Sequence, residues 1–151
     1  MTTRIAALND VPAILAVERQ ALRAAHWTPE QYLKLVDSDS GVVLVAEETG
    51  KLCGFACAKA VVGEWEIGNV VVAAEFLRRG VASELIRGLI QRAQSEAASV
   101  IRLEVRESNS PARTLYLRHG FQEEGRRRNY YQSPAEDAIL YSLRLDGKIG
   151  A

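Results

Sequence analysis

The stretch Leu77-Arg78-Arg79-Gly80-Val81-Ala82 decides how this chain is read. It stands between the apolar run Val70-Val71-Val72 and a periodic segment that begins at Val81. A chain that leaves a strand, turns through basic residues and a glycine, and enters a helix directs several backbone N–H groups outward at a positive dipole end. That is a cradle for an anion. Glycine allows close backbone approach, and Arg78 and Arg79 supply charge suited to a diphosphate. Neither G-x-G-x-x-G nor G-x-x-x-x-G-K-[ST] is present, so the common nucleotide loops do not describe it. On these residues alone the signal is weak, and an ordinary strand-to-helix turn with solvated arginines is the better explanation.

The flanking segments give the turn a setting. Val81, Leu85, Ile86, Leu89, Ile90 and Ala93 recur at spacings of 4, 1, 3, 1 and 3, one apolar face of a helix. Ile101, Leu103 and Val105 then alternate with Arg102, Glu104 and Arg106, which predicts a strand. Strand, helix, strand in that order implies a right-handed crossover and a parallel pair, Glu64 to Val72 beside Val100 to Arg106. Ligands then bind near the carboxyl ends of those strands.

Upstream, Thr3 to Ala7 reads as a strand and Asp10 as the N-cap of a helix with apolar positions Val11, Ile14, Leu15, Ala16 and Leu22. Thr28 and Pro29 open a second helix. Val42 to Glu47 and Leu52 to Val61 form a hairpin about the turn Glu48-Thr49-Gly50-Lys51. Downstream, a short helix spans about Ser110 to Arg118 and closes at Gly120. The last strands run near Phe121 to Arg127 and Ala138 to Leu145.

Nearly half of the 151 residues are apolar, enough for one domain over residues 1–151 with a single core and no metal or disulfide support. Formal net charge is zero, which gives no global electrostatic case for nucleic acid or an anionic membrane. The run Arg126-Arg127-Arg128 is too short to alter that and reads as surface charge or site scaffolding. No stretch is long and apolar enough for a signal peptide or a membrane span, so a cytoplasmic location is expected. Cys53 and Cys57 fall on one face of a strand, roughly 13 Å apart, too far to bridge. With His26 and His119 distant in sequence there is no metal-ligand spacing.

The chain reads Leu-Glu-Val-Arg-x-Ser-Asn from Leu103, then Ala112, Leu115-Tyr116 and Gly120-Phe121. In these residues, with the basic glycine turn, it resembles the GCN5-related N-acetyltransferases. Arg127-Arg128-Asn129-Tyr130-Tyr131 followed by Glu136-Asp137-Ala138-Ile139 is similar to the tail of the bacterial enzymes that acetylate the N-terminal alanine of a small-subunit ribosomal protein. Asp10 to Glu18 and His26-Trp27-Thr28 echo the opening of the same group. Two departures stand out: Leu77 where the phosphate loop usually has Gln or Arg, and Ala73-Ala74 in place of Asp-Pro.

The resemblance implies an α/β (α+β) fold. It has a mixed, mostly antiparallel sheet of about seven strands, a splayed parallel pair in its middle, and about four helices. It implies acetyl-coenzyme A as cosubstrate and no metal. The diphosphate would lie on Arg78, Arg79, Gly80, Val81, Ala82 and Ser83, and the pantetheine arm on the backbone of Val70 and Val72 with Asn109 and Tyr116 opposite. Glu104 would be the general base and Tyr116 the general acid. Trp27, Glu66, Tyr130 and Tyr131 would frame the acceptor, a protein N-terminus. Association no stronger than a weak dimer is expected.

Plainer roles fit several of these residues. Glu104 between Arg102 and Arg106 also suits an exposed ion pair. Tyr116 also suits a ring packed beside Leu115 and Leu117 with its hydroxyl at the surface, and Asn109 a helix-entry residue. Glu66 is a rival base, and His119 reads as a cation at a helix C-terminus. Three functions stand at this point: a protein N-terminal acetyltransferase, an acetyltransferase for a small amine or another protein substrate, and an acyl-coenzyme A binding module with little catalysis.

Overall fold

In the computed structural model, which describes residues 1–21 and 24–146, Val81–Ser95 forms the longest helix, α3. Its buried residues are Val81, Leu85, Ile86, Leu89 and Ala93, the stripe read from the sequence less the half-buried Ile90. Each buried branched side chain contributes about 1.5–3 kcal/mol of transfer free energy, so this face suffices to dock the helix. It docks on a seven-stranded sheet.

The strands are β1 (Thr2–Ile5), β2 (Gly41–Glu48), β3 (Lys51–Val61), β4 (Glu64–Val72), β5 (Val100–Arg106), β6 (Gln122–Tyr131) and β7 (Glu136–Arg144). Their spatial order is β1-β2-β3-β4-β5-β7-β6. All neighbours are antiparallel except β4 and β5. The other helices are α1 (Val11–Gln20), α2 (Pro29–Val36) and α4 (Ser110–Arg118).

β2 and β3 are buried at consecutive positions, Val42 to Ala46 and Cys53 to Ala58, the mark of strands covered on both faces. A Cβ on Gly54 would meet Val81 of α3, whereas the next residue, Phe55, stacks edge-on against Tyr32 of α2 at 5.7 Å. Alternation along the strand therefore puts α3 on one face and α2 on the other. Both two-residue hairpin turns have positive φ at both central positions: Thr49 and Gly50 at 48° and 79°, Val62 and Gly63 at 49° and 77°. That geometry matches the twist of the strands it joins.

Several local expectations change. The first strand ends at Ile5, and Asp10 stands at the N-cap of α1 but makes no side-chain cap bond to it: its carboxylate accepts from Ala7 N–H at 2.7 Å and from Arg4 at 2.8 Å, closing the 3₁₀ turn Leu8–Asp10. Within α1, Ala16 is exposed, and the buried positions are Val11, Ile14, Val17 and Glu18. The core-facing assignment of Leu22 lies outside the described residues. Phe121 precedes β6 and is core, and β6 runs on to Tyr131 because Asp137 holds Asn129 N–H at 2.9 Å across the hairpin. Cys53 and Cys57 are free and buried, and burial pushes the Cys57 thiol up to about 12. No helix among the described residues is long and apolar enough to cross a membrane.

Candidate active site

The parallel pair is short. Glu64, Trp65 and Glu66 of β4 register with Val100, Ile101 and Arg102 of β5, and pairing stops there. Beyond it the strands part, so the later half of β4 stays bonded to β3 on one side and presents an open edge on the other. The gap is a cleft of about 760 Å³. Val70 and Val72 line one wall, Glu104, Asn109 and Tyr116 the opposite wall, and Leu77 and Tyr131 also border it.

After β4, a 3₁₀ turn at Ala74–Phe76 leads to Leu77 and then to the basic turn. Arg78 has φ 66° and Gly80 φ 76°, so two left-handed residues bracket Arg79 and curl the backbone ahead of α3. Gly80 is the helix N-cap and provides no side-chain cap, so the N–H groups of Val81, Ala82 and Ser83 have no partner within the helix. A Cβ built on Gly80 meets nothing within 4 Å. Unpaired donors, open space and two exposed arginines fit a diphosphate. Leu77 is 57% exposed and offers an apolar surface beside the turn.

Glu104 sits on β5 where the strands have parted. Its ion-pair partner is neither Arg102, which is bound to Glu64 and Glu124, nor Arg106, which is bound to Glu136. It is Arg127 of β6, whose Nε lies 3.1 Å from Oε2. The approach is out of line for a hydrogen bond, and Oε2 is shielded from solvent without a hydrogen-bond partner. Glu104 borders the cleft with this shielded oxygen facing the Arg127 guanidinium. The Arg127 guanidinium lies over the Tyr130 ring at 5.2 Å, a role the basic run alone did not reveal.

Tyr116 is only 6% exposed, with its ring against Phe121 at 5.5 Å and Tyr141 at 6.4 Å. The ring is thus packed against Phe121 and Tyr141, and the residue borders the cleft. Its hydroxyl takes no hydrogen-bond partner among the described residues, and burial raises its pKa well above the usual phenol value, which keeps it a proton donor. Asn109 caps α4, its Oδ1 accepting from Ala112 N–H at 3.3 Å, and also borders the cleft.

The acidic pair after the tyrosines has a structural task. Glu136 accepts from Ser108 N–H at 2.7 Å and from Arg106 at 3.1 Å, fixing the turn that leads into Asn109. The Arg106 guanidinium lies 4.3 Å from the Tyr131 ring centroid and so seats that ring beside the cleft. Tyr130 is 47% exposed, its ring edge-on to that of Tyr131 at 5.1 Å. Glu66 is exposed beside Arg102, just before the strands part, and is not in the cleft wall. Trp27 is a packing residue: a Cβ on Gly68 would come within 2.8 Å of its ring, which also meets Tyr32 at 5.3 Å.

His119 is corrected. Burial first, then Arg87 and Arg118, lower its pKa, which disfavours the cationic form expected at this helix end. Its Nε2 lies 3.1 Å from Ser83 Oγ in the first turn of α3. Sequence reading also passed over Glu18 and Asn69, the two buried polar residues among those described.

A sheet opened at its parallel pair, an uncapped basic helix entry at the mouth, and a carboxylate and a buried phenol in one cleft define a coenzyme-dependent N-acyltransferase. Residues 9–121 match the acetyltransferase (GNAT) family, and the chain belongs to that family. It is 31% identical to the [ribosomal protein bS18]-alanine N-acetyltransferase of Escherichia coli K12, over 91% of this chain and 93% of that one. To the enzyme of the same name from Salmonella typhimurium LT2 it is 33% identical, over 95% and 97%. The crystal structure of the Escherichia coli ribosomal-protein-S18-alanine N-acetyltransferase superposes with a TM-score of 0.88 at 29% identity, covering 95% of this chain and 93% of that one.

Proposed function

We propose that this protein transfers the acetyl group of acetyl-coenzyme A to the N-terminal α-amino group of a protein, the N-terminal alanine of a small-subunit ribosomal protein. The observation that carries the reading is that Glu104 and Tyr116 border the same cleft, opened where β4 parts from β5. The relatives' shared name supplies the acceptor.

Bound acetyl-coenzyme A supplies an activated acyl carbonyl and a thiolate leaving group. The first-turn N–H groups of α3, with Arg78 and Arg79, hold the diphosphate. The open edge of β4 at Val70 and Val72 holds the pantetheine arm, with Asn109 opposite, and a β4 N–H polarises the acyl oxygen. Glu104 takes the proton of the attacking ammonium, directly or through one water. Tyr116 gives its proton to the departing sulfur. An α-amino group, with a reference pKa of about 8 against about 10.4 for lysine, asks less of that base. Tyr131 and the segment about Trp27 flank the acceptor.

Intact-mass detection of acetyl transfer tests this on peptides beginning Ala, Ser or Met, and on one with a blocked N-terminus and an internal lysine. The reading expects the Ala peptide to be modified first and the blocked one not at all. Modification of the blocked peptide, or of small amines in preference to every peptide, overturns it.

A further inference from the structure

Residues 24–28, between α1 and α2, have no repeating backbone structure, so their N–H and C=O groups need partners from elsewhere. At Ala25 and Trp27 two side chains from outside the segment supply them. Asn69 of β4 accepts from Ala25 N–H at 3.1 Å and donates to Ala25 C=O at 2.8 Å. Its amide also donates to the Tyr32 hydroxyl at 3.2 Å. Glu18 of α1 accepts from Trp27 N–H at 3.1 Å and from the Tyr32 hydroxyl with the same oxygen. Its other oxygen faces His26 Nδ1 at 3.3 Å.

Glu18 is 2% exposed and Asn69 7%. Stability is a weak reason to bury a carboxylate, because apolar replacements of buried ionic groups are often neutral or stabilising. What this arrangement fixes is position. Ala24, Ala25 and His26 border the cleft beside β4, and the His26 side chain is 56% exposed there. Gly68, one residue before Asn69, leaves room for the Trp27 ring. The segment is thus fastened to the same strand that presents the open edge for the coenzyme arm.

We propose that Glu18 and Asn69 are positioning residues for the acceptor: bridged by Tyr32, they hold residues 24–28 as one wall of the acceptor groove and aim His26 at the incoming N-terminus. The inference rests on the N-terminal acetylation reading and deepens it. Neither residue touches the reacting atoms. Losing the clasp therefore weakens acceptor binding and leaves the coenzyme site, built from α3 and the β4 edge, as it was.

The test compares Glu18→Leu, Glu18→Gln and Tyr32→Phe with wild type, using an Ala-initiated peptide and acetyl-coenzyme A. Glu18→Leu is expected to raise the peptide KM at least tenfold, with kcat within about threefold and the coenzyme Kd within twofold of wild type. Glu18→Gln restores most of the loss, because its carbonyl still accepts from Trp27 and Tyr32. Tyr32→Phe keeps the ring and, whether or not Glu18→Leu folds, raises KM severalfold. Amide exchange at Ala25 and Trp27 accelerates in step with KM. An unaltered KM in Tyr32→Phe and in folded Glu18→Leu overturns the inference, as does a parallel loss of coenzyme affinity and KM. Wild type that acetylates no peptide refutes the acceptor reading itself, so the two failures are distinct.

Discussion

Replacing Gly80 by Asp separates charge from backbone at the mouth of the cleft. The left-handed φ of 76° is one that Asn and Asp adopt more readily than other side chains, and a Cβ there meets nothing within 4 Å. The cost to folding is therefore about 1 kcal/mol, or about 2–4 °C in Tm for a chain of this size. The cost to coenzyme binding is larger. A carboxylate about 5 Å from two phosphate charges, at an effective dielectric between about 20 and 80, opposes binding by about 2–7 kcal/mol. Salt screening favours the lower part of that range. About 2–3 kcal/mol corresponds to a loss of about 30- to 150-fold in affinity. Gly80→Asn, of the same shape without the charge, is expected to stay within about fivefold of wild type. Titration calorimetry with acetyl-coenzyme A reads both variants, and thermal melts confirm that both are folded. Raising salt toward 1 M, where the screening length is about 3 Å, narrows the gap between them. Equal affinities for Asp and Asn variants would refute the placement of the diphosphate on this turn.

Glu104→Gln is expected to slow transfer about 10²-fold near neutral pH, with partial recovery as the pH passes the acceptor's own pKa of about 8; Glu66→Gln, outside the cleft wall, does less, and a pH–rate profile in which Glu66→Gln is the slower enzyme reverses the assignment. Tyr116→Phe keeps the ring contacts to Phe121 and Tyr141, so stability and coenzyme affinity hold while turnover falls about 10²-fold; normal turnover would make Tyr116 a packing residue only. Val62, 97% exposed at φ 49° before Gly63, is a β-branched residue in a left-handed turn position. Val62→Asn creates the favoured Asn-Gly turn and should add about 1 kcal/mol, about 2–4 °C in Tm, while an unchanged or lower melt argues against strain at that turn.

The order of strands and helices was legible in the chain because apolar spacing is a local property. Spacing near 3.6 residues marked α3, and alternation marked β5. Gly80 and the uncapped entry to α3 were legible for the same reason, since a turn's geometry is decided by a few adjacent residues. Glu104 and Tyr116 were placed through the family resemblance, and the fold brings both to one cleft. Which carboxylate is paired with which guanidinium depended on register instead. Arg102 and Arg106, two residues either side of Glu104 on its strand, are engaged by Glu64, Glu124 and Glu136, and the partner proved to be Arg127 from the far hairpin. The splay of β4 from β5 likewise follows from where pairing stops, and alternation in either strand does not reveal it. Glu18 fell within a helix pattern as one more polar residue, and Asn69 within a strand. Only packing α1 against β4 brings them to the same loop, across separations of nine and forty-four residues to the backbone groups they satisfy. Local sequence dictates which backbone shapes are cheap. Burial, which removes water as the alternative partner, decides which distant polar groups must find one another.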